Sequence, residues 1–215
     1  NQDYPGRMNI CIVDDGSTDS SWEIIQSYFA EKEGDLLQKN NAGRFGNTNL
    51  IAIKTKNSGP SSARNVGIKQ TIEHTDIYAI LDSDDEMYEN KISSCVDLFH
   101  KGEGMIGVVY ADYDTINVQT GKTIRECIVH SGALILKKAL QDVLEDTGYY
   151  DETMRTCEDY DLWMRISERY IIAHVPKSLT KVRVTGDNSS FIVNQNVWQK
   201  NWARVIEKMQ QRANG

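Results

Sequence analysis

The chain has 215 residues, enough for one domain with a sizeable core, and 40% of them are hydrophobic. Its 24 basic and 31 acidic residues give a net charge of -7, which argues against a nucleic-acid surface, since phosphate binding needs clustered Lys and Arg. No apolar run approaches the roughly 18 residues of a membrane span, and no signal segment opens the chain. The four cysteines and four histidines are scattered, so we expect reduced thiols, no zinc site and a cytosolic protein.

The first half of the chain alternates predicted strands with predicted helices. The apolar run NICIV, residues 9–13, predicts a short buried strand, and Ser17 or Thr18 can cap the helix that follows it. The alternation continues with strands at residues 49–54, 77–81 and 106–110, helices within residues 57–72 and 91–100, and a polar surface excursion at residues 38–49. This order predicts a largely parallel sheet with helices on both faces.

The second half is more varied. It predicts a hairpin at residues 116–129, helices at 136–144 and 158–169, a loop at 148–153, and strands at 171–175 and 179–184. The last segment, residues 197–212, places Trp198, Trp202, Val205 and Met209 on one helical face. We expect this helix to dock on the domain, with a membrane-surface or partner contact as the alternative.

Two acidic clusters follow predicted strands. Asp14 and Asp15 come after the first strand, and Asp82, Asp84 and Asp85 come after the third. In parallel α/β sheets, ligands bind outside the carboxyl ends of the strands, where both clusters are expected. Asp82 and Asp84, two apart in an extended segment, would point the same way, and Mg²⁺ or Mn²⁺ would relieve their repulsion while holding substrate phosphates. The alternative is that these acids only cap helices and face water.

A third cluster lies at residues 156–166, TCEDYDLWMRI. Asp161 and Arg165 are four apart on the predicted helix and are expected to form an ordinary surface pair. Glu158 and Asp159 lie at the helix start, where exposed backbone N–H groups favour carboxylates. A carboxylate placed there beside a substrate pocket is a candidate general base.

Several familiar signatures are missing from the sequence. The GKT run at residues 121–123 would need a glycine at position 116 for a P-loop, but Ile116 stands there. No G-x-G-x-x-G follows the first strand, and no G-x-S-x-G is present, so neither a dinucleotide fingerprint nor a nucleophile elbow is indicated. A haloacid dehalogenase phosphatase would need D-x-D-G-T, and VDDGST lacks that spacing.

With its clusters in this order, the chain resembles the family 2 glycosyltransferases, which are inverting nucleotide-sugar enzymes. The resemblance rests on ICIVDDGSTDSS, NSGPSSARNVGI, YAILDSDDE, GYYDET and CEDYDLWMR, followed by KVRVTGDNSS, which is similar to the family's late Tyr-Arg-x-x element. It implies a single-domain α/β fold of the glycosyltransferase A type, Rossmann-like, with a largely parallel central sheet flanked by helices. In that fold we expect a nucleotide-binding half at residues 1–110, an acceptor-side half at 111–190 and a C-terminal helix at 191–215.

The resemblance also implies how the donor is bound. Asp14 and Asp15 match the acidic pair that contacts the nucleotide base and ribose, and Arg64 matches an arginine that lines the nucleotide site. Asp82 and Ser83 belong to the D-x-D motif and are expected to contact the nucleotide sugar. These assignments come from matching motifs, position by position.

The remaining site residues implied by the resemblance concern the metal and the acceptor. Asp84, the last residue of the D-x-D motif, is expected to meet Mn²⁺ or Mg²⁺ on the diphosphate. Asp159 matches the base that deprotonates the acceptor hydroxyl, and we place Glu158 and Trp163 on the acceptor side.

The function that follows is metal-dependent transfer of a hexose from a nucleotide-diphosphate sugar, expected to be a UDP-sugar, to a hydroxyl in glycan or surface polysaccharide synthesis. The acceptor is a glycan, a lipid-linked molecule or a protein, with no nucleic acid involved. We expect a cytoplasmic location, with peripheral association at the inner face of the membrane as a further option. The alternative function is a non-catalytic module that binds nucleotide or sugar.

The sequence departs from the family pattern at both ends. The family begins with a strand similar to V-S-V-I-I-P-T-Y-N and then a helix, whereas this chain opens at NQDYPG. We expect either a fragment of a longer protein or an N-terminally truncated relative, and this departure favours the non-catalytic alternative. Near the other end, Val182, Arg183 and Val184 stand where the family often has a Tyr before its Arg.

Overall fold

The computed structural model describes residues 2–30, 42–45, 48–117, 123–126, 130–184 and 195–214. The chain divides into two compact units. The smaller unit comprises Pro5–Thr75 and Tyr150–Arg155, and the larger unit comprises Asn1–Tyr4, Asp76–Tyr149 and Thr156–Gly215. The expected nucleotide-binding and acceptor-side halves divide the chain by role, and that division stays a prediction.

The smaller unit is built on a three-stranded sheet in the order β1-β3-β2. Its elements are β1 (Met8–Asp14), α1 (Ser21–Ala30), β2 (Ala42–Phe45), β3 (Thr48–Lys54), α2 (Pro60–Thr71) and a 3₁₀ turn (Ile72–His74). β1 and β3 run parallel, whereas β2 runs antiparallel to β3. The first two predicted strands and helices are confirmed, but α1 begins at Ser21 and the Ile24 N–H donates to the Ser20 backbone oxygen, so the cap position is Ser20 and not Ser17 or Thr18. β2 lies within the predicted polar excursion, whose residues 38–41 and 46–47 fall outside the described residues.

Two local features explain how α2 is placed. Pro60 is its first residue, where a missing N–H and a fixed φ are tolerated. Gly67 faces β1, because a Cβ there would lie 3.4 Å from Val13 Cγ2 and 3.8 Å from Cys11 Sγ. The NVGI segment therefore combines a helix with a close approach to the first strand.

The loop predicted at residues 148–153 is fixed to α2 by the buried Asn65. Its side-chain amide donates to the backbone oxygen of Tyr150 at 2.8 Å, and its carbonyl oxygen accepts from the Tyr150 N–H at 2.8 Å. The same amide nitrogen donates to Glu152 Oε1 at 2.9 Å. These hydrogen bonds satisfy the backbone N–H and C=O groups of Tyr150, which have no strand or helix partner in the loop.

The larger unit contains a sheet in the order β4-β8-β6-β9-β5, with β7 paired to β6. Its elements are β4 (Ile77–Ala79), β5 (Glu86–Met87), α3 (Lys91–Lys101), β6 (Ile106–Asn117), β7 (Thr123–Glu126), a 3₁₀ turn (His130–Gly132), β8 (Ala133–Leu136), α4 (Lys137–Asp142), α5 (Glu158–Ser167), β9 (Ile171–Val184) and α6 (Gln195–Ala213). The predicted hairpin is confirmed by the antiparallel pairing of β6 with β7, while its turn at residues 118–122 lies outside the described residues.

The strand directions differ from the largely parallel sheet that we expected. Among the described strands of the larger unit, β6 and β9 are parallel, and the other pairs are antiparallel. Residues 171–184 form one irregular strand rather than two, and β8 was not predicted. The apolar run ALIL of β8 lies directly before a helical pattern, and a short apolar run does not distinguish strand from helix.

The core of the larger unit lies between the sheet and α3. Its buried members include Cys95, Val96, Phe99, Val109, Ala111, Leu134, Val175 and Leu179. None of the described helices is both long enough and apolar enough to cross a membrane.

α6 docks on α5, as expected, through a buried charged network. Arg165 Nε donates to Asp161 Oδ2 at 3.0 Å, and Lys208 Nζ lies 2.9 Å from Asp161 Oδ1. The arginine also donates to the backbone oxygens of Val143 and Tyr149. Asp161 and Arg165 do pair, but the prediction that the pair lies on the surface is wrong, because the two residues are 0% and 2% exposed. An i,i+4 spacing on a helix predicts that two residues pair, but it does not predict whether that face of the helix is buried.

Candidate functional site

Asp14 ends β1 in the smaller unit and is almost fully buried. The Ser17 N–H donates to Asp14 Oδ1 at 2.7 Å, and Lys54 Nζ lies 3.8 Å from Oδ2. Hydrogen bonds from Ser17 hold the pKa of the Asp14 carboxyl below its usual value, against the opposing effect of burial. This carboxylate therefore closes the turn after the strand.

Asp15 ties that turn to the start of α2. Its carboxylate accepts hydrogen bonds from the Gly59 N–H at 2.7 Å, the Ser58 N–H at 3.0 Å and the Thr55 hydroxyl at 3.0 Å. The next residue, Gly16, has a φ of +80°, and a Cβ there would lie 2.7 Å from a backbone nitrogen. The DDG sequence thus has a local structural purpose, which agrees with the helix-capping alternative.

Arg64 lies one turn into α2, also in the smaller unit. Its guanidinium carbon lies 5.6 Å from the ring centroid of Tyr150, the residue that Asn65 fixes. The structure therefore brings Asp14, Asp15 and Arg64 into one unit, around the end of β1 and the first turns of α2. Their expected contacts with a nucleotide stay predictions.

The second acidic cluster forms a turn at residues 82–85, which we call the acid turn. The Asp85 N–H donates to the Asp82 backbone oxygen at 3.1 Å, so this segment is not extended. The two-residue alternation that we used to align Asp82 with Asp84 therefore does not apply. Asp82 is half-buried, whereas Ser83 and Asp84 are exposed.

Three neighbours hold the acid turn within the larger unit. The buried Ser131 hydroxyl accepts from the Asp82 N–H at 3.1 Å, and the Arg183 N–H donates to Asp85 Oδ1 at 3.2 Å. His130 Nδ1 lies 3.9 Å from Asp82 Oδ1. Burial raises the pKa of Asp85, and the charges of Asp84 and Asp82 raise it further. The turn is firmly placed and electrostatically suited to a cation.

The donor atoms of the acid turn suit a hard divalent cation, which prefers oxygen ligands. Within the described ranges, no group of three or more His, Cys, Asp or Glu side chains converges on a metal position. Mg²⁺ sites commonly use one or two carboxylates and take their other ligands from water and substrate phosphates. A cation held by the turn would therefore take its remaining ligands from water and from a substrate phosphate.

The candidate base lies in the first turn of α5. Asp159 is half-buried, and its Oδ1 accepts from the Tyr160 N–H at 2.9 Å. The preceding Cys157 has a φ of +60°, an uncommon backbone conformation for a residue with a side chain. Such strained positions often occur beside functional groups. Glu158 is also half-buried.

Trp163, expected on the acceptor side, is 4% exposed, and its ring centroid lies 6.0 Å from that of His130. Trp163 therefore packs beside His130, the residue before Ser131. Glu158 and Asp159 leave more of their surface accessible at the start of the same helix. Their contacts with an acceptor stay predictions.

Two residues near the acid turn were not selected from the sequence, Lys91 and Ser131. Lys91 Nζ donates to the Ser131 backbone oxygen, across 40 residues of chain. Neither residue belongs to a recognisable motif, and their contact depends on the pairing of distant strands. The lysine directly follows the acidic segment, but that position alone does not predict burial.

Comparison with known proteins identifies the family. Residues 1–156 match the family described as "Glycosyl transferase family 2". An uncharacterized glycosyltransferase of Rickettsia felis is 30% identical over 201 residues, which cover 86% of this chain and 30% of that protein. The minor teichoic acid biosynthesis protein GgaA of Bacillus subtilis is 34% identical over 100 residues, which cover 46% of this chain and 19% of that protein.

The structure of TarS from S. aureus matches with a TM-score of 0.64 and 18% identity, covering 86% of this chain and 33% of TarS. This likeness supports the A-type α/β fold. The chain spans about a third or less of the length of each of these three proteins. From the family match over residues 1–156, the chain belongs to glycosyl transferase family 2.

Proposed function

We propose that the protein moves a sugar from a nucleotide-diphosphate sugar, with a UDP-sugar as the first candidate, to an acceptor hydroxyl. The observation that carries the proposal is the acid turn, with Ser83 and Asp84 exposed, in a chain of glycosyl transferase family 2. Similarity to a protein named for teichoic acid biosynthesis supports a role in glycan or surface polysaccharide synthesis.

In this proposal the smaller unit contributes to nucleoside binding. Asp14 and Asp15 contact the base and ribose, and Arg64 lines the nucleotide pocket. The hydrogen bonds that Asp15 receives from the start of α2 fix its carboxylate in one orientation. A fixed carboxylate loses less freedom when a ligand binds.

The larger unit contributes the acid turn to the diphosphate end of the donor. Asp82 and Ser83 contact the nucleotide sugar, and Asp84, which is exposed, would hold Mn²⁺ or Mg²⁺. When bound, the cation supplies Lewis-acid stabilisation of the leaving diphosphate. The hydrogen bonds from Ser131 and Arg183 keep the turn in place.

Asp159 is the proposed base. It accepts the proton of the acceptor hydroxyl as that oxygen bonds to the anomeric carbon. The bond between this carbon and the diphosphate oxygen breaks, UDP leaves, and the configuration at the carbon inverts. Glu158 and Trp163 are proposed to shape the acceptor side, where a glycan, a lipid-linked molecule or a protein would bind.

The test is to incubate the protein with UDP-sugars, Mn²⁺ and candidate acceptors and to measure UDP release. We expect release that depends on Mn²⁺ and stops when Asp84 is replaced by Ala. Calorimetry with UDP runs in parallel as a measure of binding. An intact protein that neither binds UDP nor releases it from any UDP-sugar would refute the proposal.

A second candidate function is binding without turnover. The hydrogen bond that Asp159 accepts from the Tyr160 N–H favours it, because it gives the proposed base a structural purpose at the start of α5. UDP binding heat without sugar transfer, also in a longer chain that includes the family's first strand, would support this second function.

A further inference from the structure

Lys91 is a buried cation whose position is not explained by packing alone. It is the first residue of α3 and is 0% exposed. Its Nζ donates to the Ser131 backbone oxygen and, at 2.9 Å, to Thr180 Oγ1. Burial lowers the pKa of Lys91 to about 8. A methionine would fill similar space without the desolvation of an ammonium group, which typically costs several kcal/mol.

Ser131 connects this lysine to the acid turn through two different groups. Its backbone oxygen accepts from Lys91, whereas its hydroxyl accepts from the Asp82 N–H at 3.1 Å and also hydrogen-bonds the Asp85 carboxyl. Ser131 is fully buried, so water does not readily substitute for these contacts. A shift of Ser131 would move both ends of the acid turn.

The Lys91 ammonium and the Asp85 carboxylate attract each other, which favours the charged form of the lysine against the larger effect of burial. Lys91 supports the turn through a hydrogen-bond relay that runs from its Nζ through Ser131 to Asp82.

We propose that Lys91 is a positioning residue that holds the acid turn, through Ser131, in the orientation that binds the metal-bound diphosphate of the donor. This inference rests on the proposed function, because it assumes that the turn binds a diphosphate. Lys91 itself has no access to the donor, since its side chain is buried.

The experiment compares UDP binding by the parent protein and the Lys91→Met variant, with and without Mn²⁺, by calorimetry. We expect the variant to lose roughly tenfold in affinity with Mn²⁺, within the range for loss of a group that supports a metal ligand. Without Mn²⁺ the two affinities should agree within about twofold, because binding then depends less on the acid turn. General loss of structure would instead weaken binding in both conditions.

Lys208→Met is the matched control. Inside the larger unit, Lys208 Nζ donates to Glu145 Oε2 at 2.8 Å and lies 2.9 Å from Asp161 Oδ1, and both partners lie outside the acid turn. We expect it to lower the free energy of unfolding while leaving Mn²⁺-dependent UDP affinity unchanged. Equal losses of affinity in both lysine variants would overturn the proposal.

A double-mutant cycle tests the path through Ser131. Ser131→Ala should weaken Mn²⁺-dependent binding, and adding Lys91→Met should cause little further loss, because both changes disturb one relay. Additive losses would contradict this path. If circular dichroism shows that Lys91→Met is unfolded, Lys91→Gln replaces it, since glutamine keeps an N–H donor but removes the charge.

The controls separate this inference from the proposed function. A folded parent that binds UDP equally with and without Mn²⁺ contradicts the metal-dependent function, and the role of Lys91 falls with it. A parent with Mn²⁺-dependent binding and a folded Lys91 variant of the same affinity contradicts only the role of Lys91.

Discussion

Asp14 and Asp15 in the smaller unit and the acid turn in the larger unit both follow a strand, yet their carboxylates have different surroundings. Asp14 is buried and accepts from Ser17, and Asp15 accepts hydrogen bonds from three donors within residues 55–59. In the acid turn, Asp84 is exposed, and burial together with neighbouring acids raises the pKa of Asp85. Asp14 is stabilised as a charged group and Asp15 is held by internal hydrogen bonds, whereas the acids of the turn lie beside one another.

The difference follows from the backbone that comes after each strand. Gly16 permits a sharp turn, and the chain after β3 brings the start of α2 within reach of Asp15, where N–H groups are available. The acid turn instead closes on itself through the Asp85 N–H. The two acidic clusters thus differ in how far internal hydrogen bonds already hold their carboxylates.

The largest expected effect concerns Asp159, the proposed base in the larger unit. Asp159→Asn keeps the size of the side chain but cannot accept a proton, so sugar transfer should slow by roughly 10²–10⁴-fold. UDP affinity should stay near the parental value. The measurement is single-turnover transfer alongside calorimetry, and transfer at the parental rate would remove Asp159 from its proposed role.

Asp84→Ala tests the acid turn itself. Removing an exposed carboxylate should weaken Mn²⁺-dependent UDP binding by at least the roughly 10–100-fold seen when a group supporting a metal ligand is lost. The free energy of unfolding should change by less than about 0.5 kcal/mol, as is usual for an exposed site. Calorimetry and urea unfolding check the two parts. A strongly destabilised variant would place Asp84 with the acids that support the fold.

The sequence predicted β1, β3 and the two helices of the smaller unit, because apolar runs and helical spacing are local signals, but it did not predict β2. β1 and β3 lie within one residue of their predicted bounds. The local spacing also identified the acids at residues 14–15 and 82–85. The resemblance to family 2 added the expected roles of these acids.

Strand direction, β8 and the burial of the Asp161–Arg165 pair were not predicted, since each depends on contacts between distant segments. Ser131, for example, meets Asp82 across 49 residues and Lys91 across 40. The number of backbone N–H groups around Asp15 likewise depends on where β3 ends in space. Local patterns identify candidate residues, but which of these acids accept hydrogen bonds within the protein depends on the folded structure.

Asp15→Ala tests the contribution of the smaller unit's acids to stability. The variant loses a carboxylate that accepts from Ser58, Gly59 and Thr55, so the free energy of unfolding should fall by about 1–3 kcal/mol. Urea unfolding of this variant beside Asp84→Ala gives the measurement. If both variants are as stable as the parent, the two acidic clusters do not differ in the way that we describe.

The smallest expected effect is a difference in pH dependence for Asp14→Asn. Hydrogen bonds from Ser17 lower the pKa of Asp14 in the folded state, so the folded protein binds fewer protons than the unfolded chain just below the usual Asp value of 3.8. The stabilisation by this group is therefore present above that pH and is lost as the pH falls through the folded-state pKa. The parent should lose more stability than Asp14→Asn between pH 6 and the acidic limit of folding.

Asp97→Asn, an exposed substitution on α3, serves as the control for removing one acid. Urea unfolding at several pH values measures the difference, and parallel curves for the parent and Asp14→Asn would show that Asp14 is not stabilised as a charged group.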